Sequence, residues 1–340
     1  MKHINVALFV PDEGCPHRCS FCNQKTISGQ IKKLTADDVK EAVETALSGR
    51  YDTAEGEIAF FGGSFTAIER KYMLSLLKSA KPYIEKGMFK GIRISTRPDC
   101  INEEVLLILK EYGVTSIELG CQSMSDEVLL LNERGHTAND VICASKLIKK
   151  HGFELGVQMM TGLYGDSDET AVETAQKLIS LSPDTARIYP TVVLENTKLA
   201  FLYRSGKYKA QTLDEAVGLC SKLLLMFHEA NIPVIRLGLH SGGGVEDGYI
   251  AGAYHPAFRE KCESAVYLEK VKKALEEKGV NGGKIEIGVG NKYVSQLIGQ
   301  GKENIKKLAL NGYNAKIIQD NTLKKYEIKV QEIRDDFNST

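Results

Sequence analysis

Hydrophobic and polar positions follow two rhythms along this chain. Short β-branched and apolar runs recur at 4–10, 57–61, 91–96, 116–121, 154–160, 185–190 and 233–239. Between them, apolar residues return every three or four positions over 36–47, 72–84, 102–112, 139–149, 169–181 and 213–230. A period of two or an unbroken apolar run marks a strand, and a period of 3.6 marks a helix. Strand and helix alternating in this way predict βαβ units and a parallel sheet. Six such units fall short of the eight that close a barrel. The expected fold is therefore α/β, a partial (β/α)6 TIM-like barrel with its chemistry on the loops at the C-terminal strand ends.

The rhythm changes near Gly242-Gly243-Gly244. Residues 1–240 are assigned to the barrel and 241–283 to a connecting segment with a long helix near 263–278. A strand at 284–289, helices near 293–297 and 303–310, and strands at 315–319 and 325–330 predict a small α+β domain over 284–334. That stretch carries ten Lys or Arg against five Asp or Glu. Residues 335–340 read as a tail.

Composition changes this picture little. With 340 residues, 43% hydrophobic and 26% charged, the chain is ordinary globular protein rather than disordered or fibrous. Forty-four basic residues balance forty-four acidic ones, which argues against binding duplex nucleic acid by charge alone. No run of eighteen apolar residues and no signal-peptide pattern is evident, so a soluble, cytoplasmic protein without a membrane partner is expected. Its eight cysteines are then expected as reduced thiols.

Three of those thiols stand close together. Cys15, Cys19 and Cys22 lie in Gly14-Cys-Pro-His-Arg-Cys-Ser-Phe-Cys-Asn-Gln24, directly after the first strand. Soft thiolate ligands select zinc or iron–sulfur clusters. Three cysteines on a four-iron cubane would leave one iron open to an outside amine and carboxylate. A closed zinc site with His17 as fourth ligand is the competing reading.

The segment resembles the signature of the radical S-adenosylmethionine (SAM) superfamily, C-x3-C-x-aromatic-C, through Cys15, Cys19, Phe21 and Cys22. One βα unit later, Phe61-Gly62-Gly63-Ser64-Phe65 is similar to the glycine-rich motif that cradles the SAM amino group. Ser64 stands where many members carry an acidic residue, so a backbone contact is implied there. Ser95 in Ile94-Ser95-Thr96-Arg97, Gln122 after Glu118-Leu119-Gly120-Cys121, and Arg134 fit the same pocket. By similarity to oxygen-independent coproporphyrinogen oxidases, Gln122 would contact SAM and Arg134 its carboxylate. Gln158, in Gln158-Met159-Met160-Thr161-Gly162, belongs to the strand that packs the adenine, with both methionines read as core. The resemblance implies a [4Fe-4S] cluster, SAM, and an electron donor such as flavodoxin or ferredoxin. It implies one-electron cleavage of SAM to a 5′-deoxyadenosyl radical that abstracts hydrogen from substrate.

Within that superfamily, Arg187-Ile188-Tyr189-Pro190-Thr191-Val192-Val193 and Gly206-Lys207-Tyr208 resemble the catalytic subunit of Elongator, whose radical domain modifies the wobble uridine of tRNA. The acetyltransferase domain and N-terminal tRNA-binding extension of that branch have no counterpart here, so acetyl transfer is not carried over. In their place Leu297-Ile298-Gly299-Gln300-Gly301-Lys302 resembles the KH turn that clamps single-stranded RNA. Lys302 occupies the second glycine position of that G-x-x-G. Gly299, Gly301 and Lys302 become RNA-binding candidates, with a plain helix–turn–helix corner as the alternative. Tyr189, His240 and His255 are candidate catalytic residues, with Arg236 beside them as a substrate contact. Cys100, Cys121, Cys143, Cys220 and Cys262 lack ligand spacing and read mostly as buried small hydrophobes. The function expected is a radical SAM enzyme acting on RNA or tRNA. The alternatives are a small-molecule substrate for the same enzyme, or a non-catalytic, metal-stabilised RNA-binding protein.

Overall fold

The computed structural model describes residues 5–10, 15, 18–23, 32–49, 52–239 and 244–333. His17, His240, Gly242 and Gly243, each singled out above, lie outside the described residues. Strands β1 (Val6–Val10), β2 (Glu57–Gly62), β3 (Gly91–Thr96), β4 (Val114–Gln122), β5 (Glu154–Thr161), β6 (Thr185–Pro190), β7 (Val192–Leu194) and β8 (Val234–Leu237) follow in chain order. Seven of them form one sheet, ordered β1-β2-β3-β4-β5-β6-β8, with every neighbouring pair parallel. β1 and β8 are its two edges, so the sheet is open and the partial-barrel expectation holds. Between the strands run helices Ala36–Ser48, Arg70–Glu85, Glu103–Glu111, Ala138–Lys150 and Asp168–Ser180.

These helices start where side chains cap them. Thr35 and Thr137 each form a capping box with the Asp three residues on, and Asn102 and Ser167 accept from the first turn. Each helix turns a narrow apolar set inward, such as Val39 and Val43 or Leu106 and Leu109. The short antiparallel pair of β7 with β9 (Tyr249–Gly252) is absent from the sequence reading. Three-residue pairings carry too little pattern to register.

The two faces of the sheet differ in kind. Ile58, Phe60, Ile92, Ile94, Ile117, Leu119, Leu155 and Ile188 point one way and are fully buried. Glu57, Arg93, Ser116, Glu118 and Arg187 occupy the alternate positions and form an ion network. Arg93 Nε lies 2.6 Å from Glu57 and its Nη1 3.3 Å from Glu118, while Arg187 Nε lies 2.6 Å from the other Glu118 oxygen. Ser116 Oγ donates to Glu57 at 2.7 Å and to Glu154 at 2.8 Å. A doubly wound sheet is apolar on both faces. A charged face needs polar neighbours or water, which makes it the wall of a site.

Contacts divide the chain into two units, 1–213 with 227–256, and 214–226 with 257–340. The division falls at 256/257 rather than 240/241. The long helix spans Phe258–Glu277 and buries Phe258, Cys262, Tyr267 and Val271 within the second unit instead of connecting two domains. Composition gave no sign of this, because a helix packed on one side looks alike in either role. The second unit continues through β10 (Gly283–Val289), helices Val294–Ile298 and Glu303–Leu310, β11 (Tyr313–Gln319) and β12 (Ile328–Glu332), with sheet order β11-β10-β12. Tyr267 Oη accepts from the Tyr326 backbone N–H at 2.9 Å.

Breaking a buried ion pair from one side strands the other charge and costs about 3–5 kcal/mol. Glu118→Ala strands Arg187 and removes one of the three carboxylates that pair with Arg93. We expect a loss of that size in denaturant unfolding. Glu154→Ala, whose side chain is 36% exposed, is expected to cost markedly less.

Candidate active site

The C-terminal end of β1 leads into the cysteine segment, of which residues 15 and 18–23 are described. Backbone and side-chain bonds both anchor it. Ser20 N donates to Asn132 O at 3.1 Å, Leu199 N donates to Ser20 O at 2.7 Å, and Asn23 Nδ2 donates to Glu195 O at 2.9 Å. Ser20 Oγ donates to Asn132 Oδ1 at 2.6 Å. Asn132 is fully buried, and its Nδ2 reaches Val128 O at 2.8 Å and Tyr164 O at 2.9 Å. Phe21 packs against a cluster that includes Leu199, Leu202 and Tyr208. Asn132 was missed in the sequence, where an asparagine ending a short helix looks like an ordinary cap.

Cys19 is buried, Cys22 half-buried and Cys15 exposed. Cys15 Sγ lies 3.7 Å from Ser64 Oγ, so the cysteine segment meets the glycine-rich turn. That turn needs glycine. Gly62 has φ of 111°, and a Cβ there would stand 2.6 Å from Val10 O. Gly63 N donates to the same oxygen at 3.0 Å.

Arg134 is buried against Cys19. Its Nη1 donates to Cys19 Sγ at 3.2 Å and its Nη2 to Gly120 O at 2.7 Å, while its Nε is buried with no hydrogen-bond partner. The fork expected to grip a carboxylate is thus turned to a thiol and a carbonyl. Behind it Arg97, also buried, donates to Asp99 through Nε at 2.9 Å and Nη2 at 3.0 Å, and to Arg134 O. Arg97 Nη1 also lacks a partner. The sequence motif contained Arg97, yet a charged residue after a strand gave no reason to single it out.

Gln122 and Gln158 are brought together, with Gln158 Nε2 donating to Gln122 Oε1 at 3.4 Å. Gln122 is buried in a left-handed conformation, φ 65°, at the β4 bulge. Ser95 lies on the polar face of β3, in register with Glu118. Tyr189 Oη accepts from Arg187 Nη1 at 3.3 Å. His255 lies in the loop after β9, three residues past Gly252, which pairs with Val192, itself three residues past Tyr189. Cys121, Cys220 and Cys262 are buried as expected, but Cys100 is half-buried and Cys143 exposed. Burial pushes the Cys121 thiol up to about 12, which suits a core residue.

Among the described residues, no three His, Cys, Asp or Glu side chains are gathered as a ready metal nest. Thiol sites close as the metal displaces their protons, so this spacing of thiols is compatible with one. The surroundings fit the implied cofactors. Three soft donors share one short segment, and two buried guanidinium groups beside Cys19 each keep an N–H for an anion.

Comparison with known proteins agrees with this reading. The family description "Radical SAM superfamily" matches residues 10–178, and "Radical_SAM C-terminal domain" matches 183–269. An uncharacterized protein of Methanocaldococcus jannaschii is 33% identical over 213 residues, 61% of this chain and 62% of that protein. The tRNA uridine(34) acetyltransferase of the same organism is 26% identical over 256 residues, 64% of this chain and 47% of that enzyme. The chain therefore spans about half to two thirds of these relatives. The solved archaeal Elp3 of Methanocaldococcus infernus, with an N-terminal deletion, matches with a TM-score of 0.57 and 22% identity, over 85% of this chain and 67% of that one. It shares the fold.

His136, two residues beyond Arg134, yields a pH test. Burial, then the Arg134 charge, lowers its pKa from 6.5 to about 4. A depressed folded pKa gives stability that is full above about 6.5 and lost as pH falls toward 4. Unfolding free energy is expected to drop across that window, and a His136→Gln variant should lose this part of the slope.

Proposed function

The chain belongs to the radical SAM superfamily, and on that premise we propose that it is an RNA-modifying enzyme that acts on a tRNA nucleotide. The observation carrying the site is Cys19 Sγ held 3.2 Å from the buried Arg134, whose Nε is left for a further acceptor. When bound, the [4Fe-4S] cluster and SAM supply hydrogen abstraction by a carbon radical. Cys15, Cys19 and Cys22 are the ligands to the cluster. Arg134 and Arg97 place positive charge beside Cys19, where thiolate and carboxylate charge would collect. Gln122 and Gln158 offer amides to a polar ligand at the strand ends, and Gly62 and Gly63 bring backbone close to it. Tyr189 and His255 serve the substrate. A one-electron donor such as flavodoxin or ferredoxin is required. No described helix is long and apolar enough to cross a membrane.

RNA as substrate is supported by the likeness to tRNA-modifying relatives and by the second unit. Its two short helices meet at a turn where Gly299, Gly301 and Lys302 have φ of 79°, 60° and 63°. Lysine in a left-handed conformation costs about 1 kcal/mol, and such strain collects at functional turns. Buried Asn304 braces the turn, its Nδ2 donating to Leu297 O and Ser264 O at 2.9 Å each. Lys302 stands where a KH turn has its second glycine. It keeps the glycine conformation and adds a cation for phosphate.

Two measurements test the proposal. Anaerobic reconstitution is expected to give brown protein with about four irons, lost in Cys19→Ala, and to release 5′-deoxyadenosine from SAM. Colourless protein with one zinc overturns it. Filter binding of total tRNA should weaken steeply with salt and fall several-fold in Lys302→Glu. No affinity at low salt leaves the enzyme with a small-molecule substrate.

A further inference from the structure

One side chain on the polar face of the sheet is not absorbed by its ion network. Between β6 and β8 the register shifts. Ala186 pairs with Val234, but Arg187 pairs with Arg236 and Ile188 with Leu237. Unbroken pairing would have set Ile235 opposite Arg187 and put Arg236 on the apolar face. The bulge at Ile235, which is 43% exposed, therefore delivers Arg236 to the charged side. Bulges next to sites re-aim side chains in this way.

Two arginines side by side on one face repel. Arg187 is already compensated. Its Nη2 donates to Glu118 at 2.8 Å, its Nε lies 2.6 Å from the same carboxylate as an ion pair, and its guanidinium carbon sits 4.9 Å from the centre of the Phe61 ring. Among the described residues Arg236 has no such carboxylate. Its Nε donates to Gly238 O at 2.9 Å, which fixes the plane of the fork and leaves both terminal amino groups. Residues 239–244, Leu-His-Ser-Gly-Gly-Gly, bring no acid. Among the described residues of this face Glu57, Glu118 and Glu154 are matched by Arg93, Lys90 and Arg187, and Arg236 is the surplus.

We infer that Arg236, with the Arg187–Tyr189 pair beside it, is a subsite for an anionic group of the substrate, a phosphate or a carboxylate. A planar fork held by one bond presents two parallel donors to two oxygens. Because Arg187 donates to Tyr189 Oη, the tyrosine's own proton is available to the same anion. Resting on the function proposed above, the anion is the phosphate of the nucleotide that enters the site. The competing role is plain edge protection, since β8 is an edge strand and inward charges discourage edge pairing. That role needs a charge but not a fork.

The test is calorimetric titration of the full chain, reconstituted, with uridine 5′-monophosphate, uridine, inorganic phosphate and citrate. Wild-type protein should bind the nucleotide at least about tenfold more tightly than the nucleoside. Arg236→Gln should bring the nucleotide down to the level of the nucleoside and leave nucleoside affinity unchanged. Arg236→Lys should recover only part of the difference. No binding of nucleotide, phosphate or citrate that Arg236→Gln weakens, or full recovery in Arg236→Lys, overturns the subsite. If phosphate or citrate binds through Arg236 while the nucleotide does not, the subsite stands and the nucleotide reading falls. Circular dichroism of both variants excludes misfolding as the cause, and Arg236→Lys keeps the edge charge in place.

Discussion

Glu118 touches two arginines at once, and much of the first unit depends on that contact. It lies in the middle of a parallel sheet, between Arg93 on one neighbouring strand and Arg187 two strands away. A lone charge there would be costly, and only mutual pairing lets the sheet keep a polar face. Once that face exists, the apolar residues must all take the other one. The apolar side is then the one the helices can cover, and the other keeps its charged lining. Tyr189, Gln158 and Ser95 owe their accessible positions to this division. The same contact holds Arg187 away from Arg236.

The cysteine segment is held by a different principle. Two of its fixed points are main-chain bonds, from Ser20 to the turn at Asn132 and to the helix Lys198–Arg204. Side chains would tie such a segment through rotamers, whereas amide bonds fix the path of the backbone and leave the thiols room to close. Arg134 follows the Asn132 turn by two residues, so one turn sets both the segment and the cation beside Cys19. Glu133 between them has φ of 54°, the local strain that lets neighbours face different ways.

Much of this was legible in the sequence. Seven strand patterns and the intervening helices stood out because a parallel sheet with one apolar face writes a clean period of two, as in Ile92, Ile94 and Ile117, Leu119. The cysteine spacing and the glycines after β2 carried the family. What stayed hidden depends on geometry without a local pattern. The bulge that turns Arg236 inward is one residue of slippage. Asn132 spends its side chain on segments more than thirty and one hundred residues away. The hydrogen bond from Arg134 to Cys19 rests on a proximity that spans 115 residues. The boundary between units was misplaced because the helix Phe258–Glu277 shows the same amphipathic stripe whether it connects or builds a core.

The anchoring of the cysteine segment also has a consequence for the order of events in the cell. Ser20 is bonded to Asn132 and to Leu199, so the cysteine segment waits for residues made much later. As the chain leaves the ribosome, the three thiols emerge before the Asn132 turn and the Lys198–Arg204 helix that hold them. Contacts of such sequence separation form late in folding. Metal delivered early would meet a loose tripod and bind it without register, and oxidants would meet exposed thiols. The segment's anchors are complete only once Leu199 has been made and folded, and the interval between emergence and closure is when its cysteines are most vulnerable.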